Sequence, residues 1–403
     1  MSLVKIHKKH CRSIHFAVLF PIGSIDDPAE KSGTAHLVEH MTFKKAGQLT
    51  QQEIYDTCER LGVKIQAMTG KNFMSFQFAC RNDVFKSVVN LLSEMLKEIN
   101  YSDKDLREEK AVVLAEILND QPSNMQVIFD NRWNDHAFSN SILGTDDSIA
   151  NICLDDVVGF KSRLSGTNFS TVLVGNFDEE DVKLVNRLFC QYTTETSVER
   201  HVFKDNSTEQ HSSVKFVSDK SEIIDVYYSY HSTIQSKLDA LCLYVLDNVL
   251  FRGDKAFVTE HLREKKGYVY EIDSDFAAFS DELNWIFKIT VKAENLSETL
   301  KDLEMLLNSF VLDEQYFQYV KAFCCDNIPM LYDDLNFLCS NTVWNCVNLD
   351  MLLTPEEFAQ KIEAISFAEY NRFFKRFVRF KDVFIFGKTT VQSRKEIRSV
   401  LSV

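Results

Sequence analysis

The chain has 403 residues, of which 45% are hydrophobic and 26% charged, the balance of a globular protein with a sizeable core and room for two or more domains. Its net charge is −14, from 45 basic and 59 acidic side chains, which argues against nucleic acid or an anionic membrane as the main partner. No apolar run approaches the roughly 18 residues of a membrane span.

The N-terminus, MSLVKIHKKHCRSIHFAVLF, is basic, but its apolar stretch is short and no small-residue cleavage site follows. It reads as part of the fold and not as a secretion signal. HFAVLFPIGS (15–24) is a predicted strand and GTAHLVEHMTF (33–43) a predicted helix. LTQQEIYDTCERLG is a polar helix, VKIQAMTGKNFMSFQFACR a pair of strands, and DVFKSVVNLLSEMLKEI a helix with apolar spacing near 3.6. STVLVGNFDEEDVKLVNRLF (170–189) adds a strand, a Gly, a polar turn and a helix.

The same order then returns. VYYSYHS (226–232) is a strand and LDALCLYVLDNVLF (238–251) a helix. EHLREKKG leads into YVYEIDSDFAAFSDELNWIFKITVKA, again paired strands, and LSETLKDLEMLLNSF is the matching helix. DVFIFGKTTVQSRKEIRSVL (382–401) repeats the closing strand, Gly, turn and helix. Such recurrence indicates internal duplication. The expected fold is α+β: two homologous units, 1–195 and 214–403, each a mostly antiparallel sheet with helices packed on one face. The polar stretch 196–213 is the expected linker.

Ten cysteines are scattered along the chain without a C-x-x-C pair. Buried free thiols in a reducing compartment are the expectation, with a cytoplasmic location and no thiolate zinc site.

Chemistry concentrates in HLVEH. On a helix, positions i and i+4 share a face with i+3 beside them, so His36 and His40 can aim two imidazoles at one ion while Glu39 stands next to them. A catalytic zinc site needs three protein ligands and an open position, with a general base in reach of water. Solvation alone can also place two histidines and a glutamate on one turn. A third ligand would decide, and YSDKDLREEKAVVLAEILND (101–120) offers Glu109 and Glu116, two helical turns apart and set among apolar residues. A carboxylate there is costly to bury unless something pairs it.

HLVEH followed by this glutamate helix resembles the inverted zincin motif of the pitrilysin, insulin-degrading enzyme and mitochondrial processing peptidase family. Glu116 stands 76 residues after His40, the family's approximate spacing, and Glu109 lies seven residues before it, as the family's second glutamate does. SGTAHLVEHMTFKKAG resembles the family's G-x-x-H-x-x-E-H-x-x-F-K-G stretch, and LGTDDSIANICLDDVVGF (143–160) its Gly-Thr segment. The similarity runs over essentially the whole chain, including the duplication.

The resemblance implies a zinc-dependent metalloendopeptidase acting on short or unfolded peptides inside a clamshell chamber. It could serve general clearance or maturation of one dedicated precursor. One Zn(2+) would be held in the catalytic unit by His36, His40 and Glu116, with Glu39 as general base and Glu109 orienting a ligand. An exposed helix glutamate is the alternative for Glu109. Aligning HLVEHMTF with YVLDNVLF puts Tyr244, Asp247 and Asn248 where His36, Glu39 and His40 stand, so the second unit has lost the metal site. LREKKGYVYEIDS (262–274) resembles the Arg/Tyr motif of the family's inactive half. Arg263 would anchor the substrate, and Tyr270 would donate a hydrogen bond to the developing oxyanion. A surface Arg and a core-packed strand Tyr are the alternative.

Gln66, Ala67 and Met68 would form an edge strand on which an extended peptide adds by main-chain hydrogen bonds, an ordinary interior strand being the alternative. Gln66-Ala67 stands where the family usually has Asn-Ala. The family also begins with a longer N-terminal hairpin, and this chain is expected to start almost at its second strand. The glycine-rich loop before the Arg motif is thin, with only Gly253. Two-unit members of the family imply a homodimer, or a heteromer with a related subunit. A non-catalytic structural or peptide-binding subunit is the competing function.

Overall fold

The computed structural model describes residues 2–28, 30–119, 124–132, 139–164, 169–189, 212–218, 221–236, 238–253, 255–279, 282–309, 312–331, 333–349 and 353–401. The chain divides into two units, Met1–Glu199 with Tyr332–Thr354, and Arg200–Leu331 with Pro355–Val403.

The first unit opens with strands β1 (Ser2–His7) and β2 (Ser13–Phe20), helix α1 (Thr34–Thr42) and a small ribbon, β3 (Lys45–Ala46) and β4 (Leu49–Thr50). Then come α2 (Gln51–Leu61), β5 (Gln66–Thr69), β6 (Met74–Arg81), α3 (Phe85–Lys97) and α4 (Asp103–Asn119). It continues through α5 (Asn124–Arg132), α6 (Asp146–Asn151), α7 (Leu154–Leu164), β7 (Ser170–Gly175) and α8 (Glu179–Phe189). The second unit holds β8 (Ser213–Ser218), β9 (Ile223–Thr233), α9 (Asp239–Leu250), β10 (Val269–Phe279), β11 (Glu282–Lys292), α10 (Leu296–Ser309) and α11 (Glu314–Leu331). Helix α12 (Leu335–Leu349) follows in sequence but belongs to the first unit. The second unit ends with α13 (Pro355–Glu363), α14 (Phe367–Phe377), β12 (Asp382–Gly387) and α15 (Val391–Leu401).

The first sheet has the order β1-β7-β2-β6-β5; the second, read from β8, has the order β8-β12-β9-β11-β10. Strand for strand these are the same topology. In each, the first strand pairs in parallel with the last, and the remaining pairs are antiparallel. The fold is α+β, two sheet-plus-helix halves.

Three details depart from the sequence expectation. A full strand, β1, precedes β2, so the chain does not start at its second strand. Its counterpart β8 begins at Ser213, inside the expected linker, whose residues up to 211 lie outside those described. Both strands are six residues long and sit at a sheet edge, where alternation is brief and one flank is unpaired, so the apolar pattern is weak.

The third departure is the helices' placement. Ile14, Phe16, Val18 and Phe20 of β2 point into the main core, where Phe16 packs 5.6 Å from both Phe78 and Phe189. His15, Ala17 and Leu19 alternate with them and so face the other way, yet they too are buried. Helix α12 covers that side, lying against β2 and β7, with Asn336 and Asp334 meeting His15. The first sheet is therefore covered on both faces, not one.

Candidate metal centre

Helix α1 carries the HLVEH segment, and its start is held tightly. Gly33 has φ 92°, and a Cβ there would come within 2.6 Å of the Leu143 carbonyl oxygen. Asp27 receives both exposed ends of the first turn: Gly33 N donates to its Oδ2 at 2.7 Å and Ala35 N to its Oδ1 at 2.8 Å. Burial pushes the Asp27 carboxyl up to about 7, against the pull of these two N–H donors. The Gly-Thr segment braces the same loop, since Ser148 Oγ donates to the Ser32 carbonyl at 2.8 Å. We expect Asp27→Ala to cost about 1–2 kcal/mol in urea unfolding, the loss of a helix-start acceptor; an unchanged midpoint would refute this.

His36 and His40 lie one turn apart on α1 with ring centroids 4.7 Å apart, and Glu116 reaches them from α4. Glu116 Oε2 is 3.8 Å from His36 Nε2 and 3.6 Å from His40 Nε2, and the three donor atoms all lie within 4.8 Å of one another. A cation about 2.0–2.2 Å from each of two imidazole nitrogens and one carboxylate oxygen needs donor separations of roughly 3.3 Å. The two separations to Glu116 are slightly wider and the third is no more than 4.8 Å, so the set fits a metal ion after some closure. Among the described residues this is the only such cluster.

Electrostatics agree with that fit. Burial and neighbouring His40 push His36 down to about 4, which keeps its imidazole neutral and its lone pair available. Burial works against a charged His40, but Glu109, Glu116 and Glu39 together hold it above the ordinary imidazole value. The carboxylates around His40 favour positive charge there.

Glu109 is only 7% exposed, which excludes the plain surface glutamate. Its Oε2 lies 3.1 Å from His40 Nδ1, and its Oε1 3.1 Å from Lys44 Nζ. The His40 contact, helped by Lys44, holds its carboxyl below the usual range. The burial argument made from sequence fits Glu109 better than Glu116, whose side chain is 43% exposed. Half-buried Glu39 is not one of the three converging donors. Burial raises its carboxyl, against a hydrogen bond from Thr69 Oγ1 to its Oε2 at 2.5 Å.

Strand β5 is an edge strand, pairs with β6 alone and lies beside α1. Gln66 and Met68 are exposed on it and Ala67 is half-buried. A hollow of about 840 Å³ opens next to it, lined by Glu39, His40, Phe43, Tyr55, Ile65 and Met95 among others. Sequence reasoning missed Thr69 and Lys44. Thr69 comes directly after the residues read as the substrate strand, and Lys44 two residues after the end of α1, but only three-dimensional pairing gives either a role.

In the second unit, Asp247 takes the position of Glu39 and is 2% exposed, accepting hydrogen bonds from Arg252 Nε and Trp285 Nε1, both at 2.9 Å. Asn248 donates to the Tyr244 carbonyl. A guanidinium and an indole thus occupy the carboxylate that corresponds to Glu39. Arg263 lies on a short π-helical segment, Thr259–Lys265, half exposed beside Glu264. Tyr270, on β10, is 86% exposed, which is not a core-packed strand tyrosine.

Residues 3–146 match the family model described as Insulinase (Peptidase family M16), and residues 154–322 match Peptidase M16 inactive domain. An uncharacterized zinc protease of Rickettsia bellii (strain RML369-C) is 21% identical over 379 residues, covering 92% of this chain and 90% of the relative. YmxG of Bacillus subtilis (strain 168), also named an uncharacterized zinc protease, is 22% identical over 371 residues, 89% of each chain. The fold is similar to the crystal structure of a protease from Helicobacter pylori, with a TM-score of 0.79, 18% identity and 96% of each chain covered. Two adjoining models of one family, covering most of the sequence, and a matching fold place this chain in the M16 peptidase family.

Proposed function

We propose that the protein is a zinc metalloendopeptidase, a reading carried by the convergence of His36, His40 and Glu116 with Glu39 beside them. Two imidazoles and a carboxylate suit zinc, and His36, His40 and Glu116 would hold it. When bound, zinc supplies a Lewis acid that polarises the scissile carbonyl and makes water more acidic. Glu39 takes the proton from the attacking water and hands it to the leaving amine. Thr69 holds that carboxylate in place.

An extended peptide would pair with the free edge of β5 at Gln66, Ala67 and Met68. Such pairing needs an unpaired main chain, which favours short or unfolded peptides, whether in general clearance or in processing of a dedicated precursor. For the second unit we propose the roles the family implies: Arg263 anchors the peptide and Tyr270 donates to the oxyanion. Both side chains are exposed, as those roles require. A homodimer is the proposed assembly, with a heteromer formed with a related subunit as its alternative. A cytoplasmic setting accords with nine described cysteines that are all free thiols. No described helix is long and apolar enough to cross a membrane.

Metal analysis and turnover of a quenched peptide test the central reading. We expect about one zinc per chain, cleavage abolished by a chelator and restored by zinc. Metal-free protein with no turnover under any condition would instead favour a non-catalytic subunit.

A further inference from the structure

We propose that Lys44 is a positioning residue for the metal centre, acting through Glu109 on His40. The inference rests on the metal-centre reading above. Lys44 stands two residues beyond the last residue of α1, Thr42, and its side chain is only 6% exposed. Its Nζ lies 3.1 Å from Glu109 Oε1 and donates to Glu108 Oε2 and Gln51 Oε1, each at 3.0 Å. One ammonium thus joins the end of α1 to two carboxylates of α4 and to the first residue of α2. Helices α1 and α4 are the two that supply the three candidate ligands.

The division of labour on Glu109 carries the argument. One carboxylate oxygen faces Lys44 and the other faces His40 Nδ1. With Oε1 held, Oε2 stays aimed at the ring, which places the proton on Nδ1 and turns Nε2, with its lone pair, towards Glu116 and the ion position. Among the described residues His36 has no matching support, because none of them hydrogen-bonds its buried Nδ1. The orientation of the ligand pair therefore depends on the His40 branch, and that branch ends at Lys44. Replacing the ammonium by an apolar group leaves a buried carboxylate oxygen unpaired, free to rotate away from the imidazole.

The test is the zinc dissociation constant, measured by competition with a chromophoric chelator in the native protein, Lys44→Met, Glu109→Gln and the double variant. Each single variant should bind zinc about 10–100-fold more weakly, the usual effect of losing an outer partner of a ligand. The double variant should be no weaker than Glu109→Gln by more than about threefold, because both changes break one chain. Zinc binding by Lys44→Met within about twofold of native would overturn the proposal. So would losses that multiply in the double variant, which would mean Lys44 does not act through Glu109. Native protein that binds no zinc would overturn the metal centre and this inference together. If Lys44→Met fails to fold by circular dichroism, Lys44→Gln replaces it, keeping a donor but not the charge. At least about threefold weaker binding is then expected, and native affinity would sink the idea.

Discussion

Glu39→Gln leaves zinc bound and lowers peptide cleavage by about 10²–10⁴-fold, the contribution of a general base. The two outcomes separate because Glu39 is not among the three side chains whose donor atoms converge. A glutamine keeps the shape and still accepts the Thr69 hydroxyl, so the helix and its imidazoles have no reason to move. What it lacks is the ability to take a proton. The setting of Glu39 suits the proposed base: it is half-buried, and burial raises its carboxyl against the opposing pull of Thr69 and His40, with the charge of Glu116 adding to the rise. Zinc content by atomic absorption and turnover of a quenched peptide would be read on the same sample. Undiminished cleavage removes Glu39 from the proton path. Loss of zinc would mean that it is a ligand.

The convergence of His36, His40 and Glu116 could be anticipated from sequence because helical geometry is local. Two histidines at i and i+4 share a face wherever the helix lies, and two glutamates seven apart on a second helix share another. The duplication was also readable, since strand and helix periodicities recur in one order, and the two sheets do share one strand order. Other features depend on distant pairing. Strands β1 and β8 are fixed by parallel partners, β7 and β12, that lie more than 150 residues away in sequence. Helix α12, LNFLCSNTVWNCVNL, reads as a buried helix, but nothing in those fifteen residues names the sheet they cover. It returns to β2 and β7 of the first unit. Lys44 and Glu109 are likewise 65 positions apart, and their pairing became visible only once α1 and α4 were side by side.

Glu116→Gln should have the largest effect on zinc and almost none on the metal-free fold. Removing one of three ligands should weaken binding by more than the roughly 100-fold upper range for an outer partner. The carboxylate is 43% exposed, and its repulsion of Glu39 works against its attraction to His40, so the metal-free protein gives up little when it is neutralised. The contrast appears in thermal or urea unfolding. At zinc a hundred times the native dissociation constant, binding stabilises the native protein by about 2.7 kcal/mol. At the same free zinc, a hundredfold weaker variant gains only about 0.4 kcal/mol. Native and variant should therefore unfold together in a chelator and separate when zinc is added. If zinc stabilises both equally, Glu116 is not a ligand, and the third donor must be sought elsewhere. If the two already differ in chelator, the α4 carboxylate holds the fold itself, and its position beside the imidazoles has a structural origin.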